Sequence, residues 1–385
     1  MKVSSLRNIM WGVASLLMFS SLSYAVADRE VRIAELESQM KQVGTMTPEG
    51  VFGANTASAR PNVEGEGWFL TFDVLYWRTK IGGTEYAYTD ADPIGKLPVN
   101  GKKKHMEFNW DWGLRAGLGY NFDYDGWDFR AQYTWWNSAG SDTTHAGQSN
   151  SITPLRGSAT VTESPQAQTK GQFAFCTSAK SLFDLDYQTI DLELGRDYYM
   201  TDKVSFRPFW GVKTAWIDLE QKTQYTGGAP INVGQGSLLL GLSGNTVHVK
   251  EKSDFWGVGP RTGLNSRWYI GEGFSFFSNL SGAFIWGYFD VEHKEKYSAA
   301  QDGRMHLHAN RHAFSPTMQL QMGLRYETYL NHDQQHLSLG IGFEGQYWWR
   351  QNQALKVDDR ATLKYTRYSD DLAFYGITAE IKWDF

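Results

Sequence analysis

The sequence predicts an all-β fold: an antiparallel up-and-down transmembrane β-barrel of about 10 strands (range about 10–14), preceded by a short N-terminal helix. Three observations predict it. Phe108 to Phe122 alternates for fifteen residues, apolar or aromatic at even positions and polar, charged or glycine at odd ones. Successive strand side chains point to opposite faces, so this stretch has one greasy wall and one wet wall, which a helical period of about 3.6 would smear. The same alternation recurs along the chain, with long connections after odd-numbered strands and short ones after even-numbered strands, as in bacterial outer-membrane barrels. The chain closes on Phe385, the end of a segment that is apolar at every second place from Tyr375.

The totals are compatible with this. A mean hydropathy of -0.46 looks soluble, but barrel strands devote only alternate residues to lipid. Aromatic residues make up 15%, with 16 Trp and 20 Tyr, and the 39 Gly suit curved strands and turns. A net charge of -5 gives no basic footprint for nucleic acid. A single cysteine, Cys176, allows neither an internal disulfide nor a thiolate metal cluster.

Residues 1–27 read as a secretory leader: Lys2 and Arg7, then the apolar run Met10 to Phe19, then the small-residue site Ala25-Val26-Ala27. No later segment has about eighteen uninterrupted apolar residues, so the remaining destination in a diderm bacterium is the outer membrane. Residues 28–44 form an amphipathic helix with Ile33, Leu36, Met40 and Val43 at 3-4-3 spacing, ended by Gly44. Either it is a lone helix packed on the barrel, or Arg32 to Glu37 marks a periplasmic trimerisation stub. Residues 45–66 are a linker, long enough to enter a lumen. Residues 67–385 are the barrel.

The first strand, Trp68 to Ile81, carries Trp68, Leu70, Phe72, Val74 and Tyr76 on one parity, blurred by Phe69, Leu75 and Trp77. A polar loop is expected over 82–106. After Phe122 the turn Asp123 to Gly126 has Asp-Gly chemistry and leads into Trp127, Phe129, Ala131, Tyr133 and Trp135. Residues 137–183 read as a long loop. In the strand Tyr187 to Tyr198 the parity slips near Thr189, which suggests a bulge. Phe206, Trp210, Val212 and Trp216 oppose Arg207 and Lys213 in the next strand, before a loop over 220–252. Phe255 to Trp268 and Phe274 to Phe289 flank the turn Gly271-Glu272-Gly273. A polar loop over 292–311, a strand around Met318 to Tyr326, a turn at 331–335, a strand from Leu337 to Tyr347, a loop over 350–370 and the last strand from Tyr375 complete the count.

The runs Trp68 to Trp77, Trp127 to Trp136 and Leu192 to Arg196, with the leader and short helix, resemble the Legionella-type major outer membrane protein family of pore-forming barrels, which also occurs in environmental chlamydiae. The resemblance covers roughly residues 60–385. It implies a porin-like role, passive diffusion of small hydrophilic solutes and ions, for a major surface protein. In broad plan the chain also resembles the chlamydial major porins, but those cross-link the envelope through many cysteines and this chain has one.

The candidate pore-lining residues are the inward charges Arg115, Arg130, Asp191, Glu193, Arg207, Lys213, Arg261, Arg267, Arg325, Glu327, Glu344, Glu380 and Lys382. Fixed charges on a lumen wall tune selectivity. Against this stands the plainer reading that they pair with one another and plug a barrel too narrow for a wide channel. His306-x-His308-x3-His312 has metal-like spacing but no evident carboxylate partner, and a solvated loop is the simpler account. Cys176 is either an intermolecular disulfide partner or a thiol tucked into its loop. No G-x-S-x-G elbow, P-loop or H-E-x-x-H is present, so no enzyme, cofactor or metal is expected.

The sequence therefore points to an outer-membrane porin-like barrel, with lipid and the barrel-assembly machinery (through Phe385) as partners and a homotrimer as the assembly the helix suggests. The alternative is a structural or adhesive surface barrel acting through its external loops with little or no pore. A soluble lipocalin-like barrel would need the apolar face turned inward.

Overall fold

Among the described residues, ten long strands arise where the alternation is longest. The computed structural model describes residues 67–91, 100–122, 126–147, 150–157, 176–201, 203–227, 246–298, 304–330, 335–359 and 364–385. The expected leader, helix and linker lie outside these residues. In chain order the elements are β1 (Gly67–Ile81), β2 (Ala87–Asp90), β3 (Lys103–Lys104), β4 (Trp110–Asn121), β5 (Trp127–His145), β6 (Ser151–Pro154) and β7 (Ser178–Arg196). They continue with β8 (Tyr198–Thr201), β9 (Val204–Thr226), β10 (Thr246–Gly271), β11 (Phe274–Tyr297), β12 (Arg304–Leu330), β13 (Gln335–Asp359) and β14 (Lys364–Asp384).

All ladders are antiparallel. The sheet order runs β10-β11-β12-β13-β14-β1-β4-β5-β7-β9, with the short β8 beside β9, and β9 also pairs with β10. The circuit of ladders thus returns to its starting strand. A tight turn joins β10 to β11: Glu272 takes φ 51° between Gly271 and Gly273, both also at positive φ, where glycine avoids the Cβ penalty.

On the outer face of β1 the side chains run Trp68, Leu70, Phe72, Val74, Tyr76; its inner face buries Thr71 and Asp73. Exposed Trp68, Trp268, Phe274 and Trp383 mark one edge of an apolar band, and exposed Trp112, Trp135, Trp256 and Trp286 mark the other. The two edges are eight to twelve residues apart on β1 and β10. At about 3.3 Å per residue and about 40° tilt, that is roughly 20–30 Å of hydrocarbon.

Beyond the second edge the strands continue, and here four sequence expectations are corrected. The loops expected over 292–311 and 350–370 are largely strand, and strand enters both ends of those expected over 137–183 and 220–252, as β5, β7, β9, β10, β11, β12, β13 and β14 extend into them. In this extension the hydrophobic face inverts. On β9, Val212 and Trp216 face outward, whereas Ile217 and Leu219 are buried inward and Asp218 and Lys222 are exposed outward. Water replaces lipid outside, so the wall becomes polar outside and apolar inside.

The same inversion corrects the bulge expected near Thr189. β7 keeps continuous register, Thr189 opposite both Thr134 and Ala215, with no shift. The parity change is a change of solvent. Leu75 and Trp77, which blurred β1, are inward residues of this upper core, 0% and 1% exposed. Phe108, the first residue of the long alternation, is also buried and bridges Gly140 rather than facing lipid.

A register shift does occur in β13, between Trp348 and Asn352, where Arg350 takes φ 57°. Beyond it Gln351 to Leu355 are buried on both faces. The β12–β13 ladder ends at Thr317 opposite Trp348, so Arg304 to Pro316 pair only with β11.

Candidate functional site

The inward side of the membrane-level wall is where the charges meet. Strand parity fixes this: with Leu114, Ala116 and Leu118 of β4 turned to lipid, Arg115 must point in. All thirteen expected lining residues lie on the inward side. Arg115, Asp191, Glu193, Arg207, Lys213, Arg261, Arg325 and Glu344 are buried, and Arg130, Arg267, Glu327, Glu380 and Lys382 are half-buried.

They form three knots of opposite charge. In the first, Glu344 of β13 receives both Arg115 Nη atoms at 2.7 and 3.1 Å, Gln319 Nε2 at 2.7 Å, Gln346 Nε2 at 2.9 Å and Thr378 Oγ1 at 2.8 Å. Arg115 also reaches Asp73 at 3.2 Å. In the second, Asp191 takes Lys213 at 3.0 Å and Arg261 at 2.8 Å, while Glu193 takes Arg130 at 2.7 Å, Arg261 at 3.1 Å and Arg207 at 3.4 Å. Arg207 makes a two-pronged contact with Asp128 at 2.5 and 2.6 Å. A Cβ on Gly195 would lie 2.4 Å from the Arg207 guanidinium carbon, so glycine leaves the room this arginine fills. The third knot, toward the Gly271–Gly273 turn, holds Arg325–Glu380 at 2.7 Å, Arg267–Glu327 at 3.3 Å and Lys382–Asp384 at 2.7 Å, with His336 at 3.0 Å from Asp384.

Sequence reasoning missed Asp73, Asp128, His336 and Asp384 as partners. Their inward parity was the available signal. A cavity of about 30 Å³ remains among Arg130, Gln132, Asn265, Asn279, Gln319 and Gln321. That is room for one or two waters.

Directly above the charges lies an aromatic layer. Trp77, Trp136, Tyr187, Trp348 and Phe374 are each at most 1% exposed, with ring centroids 4.9 Å apart for Trp136–Phe374 and Tyr187–Phe374 and 5.9 Å for Trp77–Trp136. The Arg115 guanidinium sits 5.3 Å over the Trp77 ring, which ties the two layers together.

Above that, the short strands β2 and β3, which follow β1, and β6, which follows β5, form a small inner sheet, β3-β2-β6. Tyr86, Ala87, Ile152 and Cys176 are 0% exposed and share one core with the inward Phe183, Leu185, Ile217, Leu219 and Phe289. Polar latches fasten this plug: Gln221 Nε2 donates to Thr84 O at 3.2 Å, Tyr225 Oη donates to Tyr86 O, and Tyr86 Oη donates to Asp142 at 2.8 Å. Arg156 Nε donates to Glu85 O at 2.8 Å, and its Nη1 meets Glu251 at 2.7 Å. His293 lies between Glu295 at 2.7 Å and Glu251 at 3.5 Å, and Tyr365 Oη donates to Glu295 at 2.7 Å. Burial opposes charge on His293, but hydrogen bonds and fields from Glu251 and Glu295 outweigh it and raise its pKa to about 9. Burial also works against the Glu251 carboxylate, yet Arg156 and His293 hold its pKa below the usual value. Burial pushes the Cys176 thiol up to about 12. Of its two readings, the tucked thiol is the one this position fits.

The histidine triplet is not a solvated loop. His306, His308 and His312 lie on the outer side of β12, where His306 meets Glu292 at 2.6 Å, His308 meets Asp290 at 3.2 Å and His312 stacks on Trp286. Among the described residues no cluster has metal-site composition.

The family model described as Legionella pneumophila major outer membrane protein precursor matches residues 60–385. No curated protein sequence is significantly similar. Among solved structures, outer membrane protease OmpT from Escherichia coli is 9% identical with a TM-score of 0.39, covering 84% of this chain and 98% of its own. The toluene transporter TodX from P. putida is 11% identical with a TM-score of 0.28, covering 83% and 90%. The outer membrane protein AlkL is 16% identical with a TM-score of 0.25, covering 70% and 93%.

Proposed function

The chain belongs to the Legionella major outer membrane protein family, and from that membership we propose that this outer-membrane protein is a closed ten-strand barrel whose narrow, charge-lined lumen is a porin-type path held shut at rest. The observation that supports this is the chemistry of the lining. Replacing buried ion pairs by well-packed apolar residues is often neutral or stabilising by about 1–4 kcal/mol, so a barrel that only had to stay closed gains nothing from them. A lumen that must admit water and ions when its pairs part needs charges of both signs. With Arg115, Arg130, Arg207 and Arg261 set against Asp73, Asp128, Asp191, Glu193 and Glu344, ion selectivity is weak.

A second reading is favoured by the closure itself. Paired charges, an aromatic layer and a loop plug stand one above another, as a structural or adhesive surface barrel would have them. Neither reading calls for enzymatic chemistry.

Planar-bilayer conductance of purified protein separates them. The pore reading expects small, rare steps from the wild type, and frequent steps from Glu344→Gln, which releases Arg115. Absence of steps from both proteins at every voltage leaves the closed surface barrel.

A further inference from the structure

Outside the barrel, the extension carries its charges in a fixed order. On β9, outward from Trp216, the solvent side reads Asp218, Glu220, Lys222. On β10, outward from Trp256, it reads Asp254, Lys252, Lys250. On β11, outward from Tyr288, it reads Asp290, Glu292, Lys294, Lys296. Acids sit next to the aromatic edge and bases lie farther out, strand after strand.

The bases are also direct neighbours. Lys250 lies opposite Lys222 on one side and opposite Lys294 on the other, and Lys296 lies opposite Arg304. Like charges directly opposite are destabilising, and the four strands could have avoided the arrangement by a single exchange of sign. The lysines are held upright by local acids, Lys250 by Glu220 at 2.9 Å and Lys294 by Glu292 at 2.5 Å, yet Lys222, Lys250 and Lys294 remain 49%, 40% and 44% exposed. Exposed pairs of this kind are worth about 0–1 kcal/mol, so a stronger anion can displace the carboxylates. Beside the lysines is a groove of about 660 Å³ whose charged lining is Asp111, Asp184, Asp186, Asp218 and Glu220 together with Lys222 and Lys252, so the anion contacts lie on the lysine row at its rim and not in the groove itself.

Height selects the occupant. Lys250 is six residues beyond Trp256, about 20 Å along the strand and roughly 15 Å above the aromatic edge at a tilt of about 40°. A phospholipid headgroup layer is only about 5–8 Å deep on each side. Phosphates at the lysine row must be carried on sugars above the lipid. We propose that the outer wall of β9, β10 and β11 is a seat for the phosphorylated glycolipid of the outer leaflet, lipopolysaccharide, with Lys222, Lys250 and Lys294 as its anion contacts. This stands independently of whether the lumen conducts.

The test titrates purified full-length protein in detergent with lipopolysaccharide, with phosphatidylglycerol vesicles and with inorganic phosphate, following the temperature at which folded gel mobility is lost. Lipopolysaccharide should raise that temperature for the wild type and for the triple Lys→Arg variant at 222, 250 and 294. In the Lys222→Gln, Lys250→Gln, Lys294→Gln variant its apparent affinity should fall roughly hundredfold, since each lysine near an anionic surface is worth about fivefold. Replacing Lys102, Lys103 and Lys104 by Gln, away from this wall, should change nothing. Equal affinity in wild type and the Gln triple overturns the proposal. Equal stabilisation by phosphatidylglycerol or free phosphate also overturns it, because the height argument then selects nothing.

Discussion

Two residues carry much of the internal order, Glu344 within the membrane span and His293 above it. Glu344 accepts hydrogen bonds from Arg115, Gln319, Gln346 and Thr378, so its loss leaves a buried guanidinium short of its partner. Removing one member of a buried pair costs about 3–5 kcal/mol. Glu344→Gln should therefore lower the temperature of gel-mobility loss as well as raise conductance, and a variant as stable as wild type would show that the knot does not stabilise the fold. His293 ties β11 to the plug through Glu251 and Arg156. Its pKa is raised in the folded state to about 9 from 6.5. The stabilisation it gives, on the order of 3 kcal/mol, is complete below about pH 6.5 and is lost as the pH rises through about 9. Glu251 has the opposite sign: its lowered pKa stabilises above the ordinary carboxylate range and the benefit fades in acid. Protease cleavage of the 82–109 and 146–177 connections should accelerate between pH 8 and about pH 10 in the wild type. In His293→Gln it should be fast and flat over that window; a wild type equally resistant at both ends would remove the histidine from the latch.

At the scale of the strand, each long element is two structures end to end. The membrane part is apolar outside and the extension is apolar inside, and β9 changes over between Trp216 and Ile217. Val212→Arg should cost about 2–4 kcal/mol, as for a cation on the lipid face near midplane. Asp218→Arg, six residues on, should cost less than about 0.5 kcal/mol, as an ordinary surface change does. Equal costs in a folding assay into lipid vesicles would mean that the boundary is misplaced. This changeover also explains what the sequence revealed. The membrane segments were legible, with their inward charges, because lipid enforces one clean alternation over Trp110 to Tyr120 or Met318 to Tyr326. The extensions were hidden because their outer faces hold Lys, Glu, Asp and His, which resemble loop composition, and because Phe183, Leu185 and Ile217 obey the opposite parity. Read as a phase reversal, Thr189 marks the water line rather than a bulge. The ion pairs themselves were not legible: which arginine meets which carboxylate depends on register and on reach across the lumen, as with Arg115 and Glu344, far apart in sequence.

At the scale of the whole molecule, three closures share one axis: the charge knots, the aromatic layer around Trp77 and Phe374, and the β2–β3–β6 plug. Their order follows from the surroundings. Where lipid occupies the outside, polar groups are driven inward and must neutralise one another; where water occupies the outside, apolar groups retreat inward and pack. Spin labels on single cysteines along β9, residues 206 to 224, test this directly against the silent background of the buried Cys176. In lipid vesicles, labels at 210, 212 and 216 should meet only the lipid-soluble quencher, those at 218, 220 and 222 only the water-soluble one, and those at 213, 215, 217 and 219 neither. Lipid quenching beyond 218, or free access of the water-soluble reagent at 213 and 215, would contradict it.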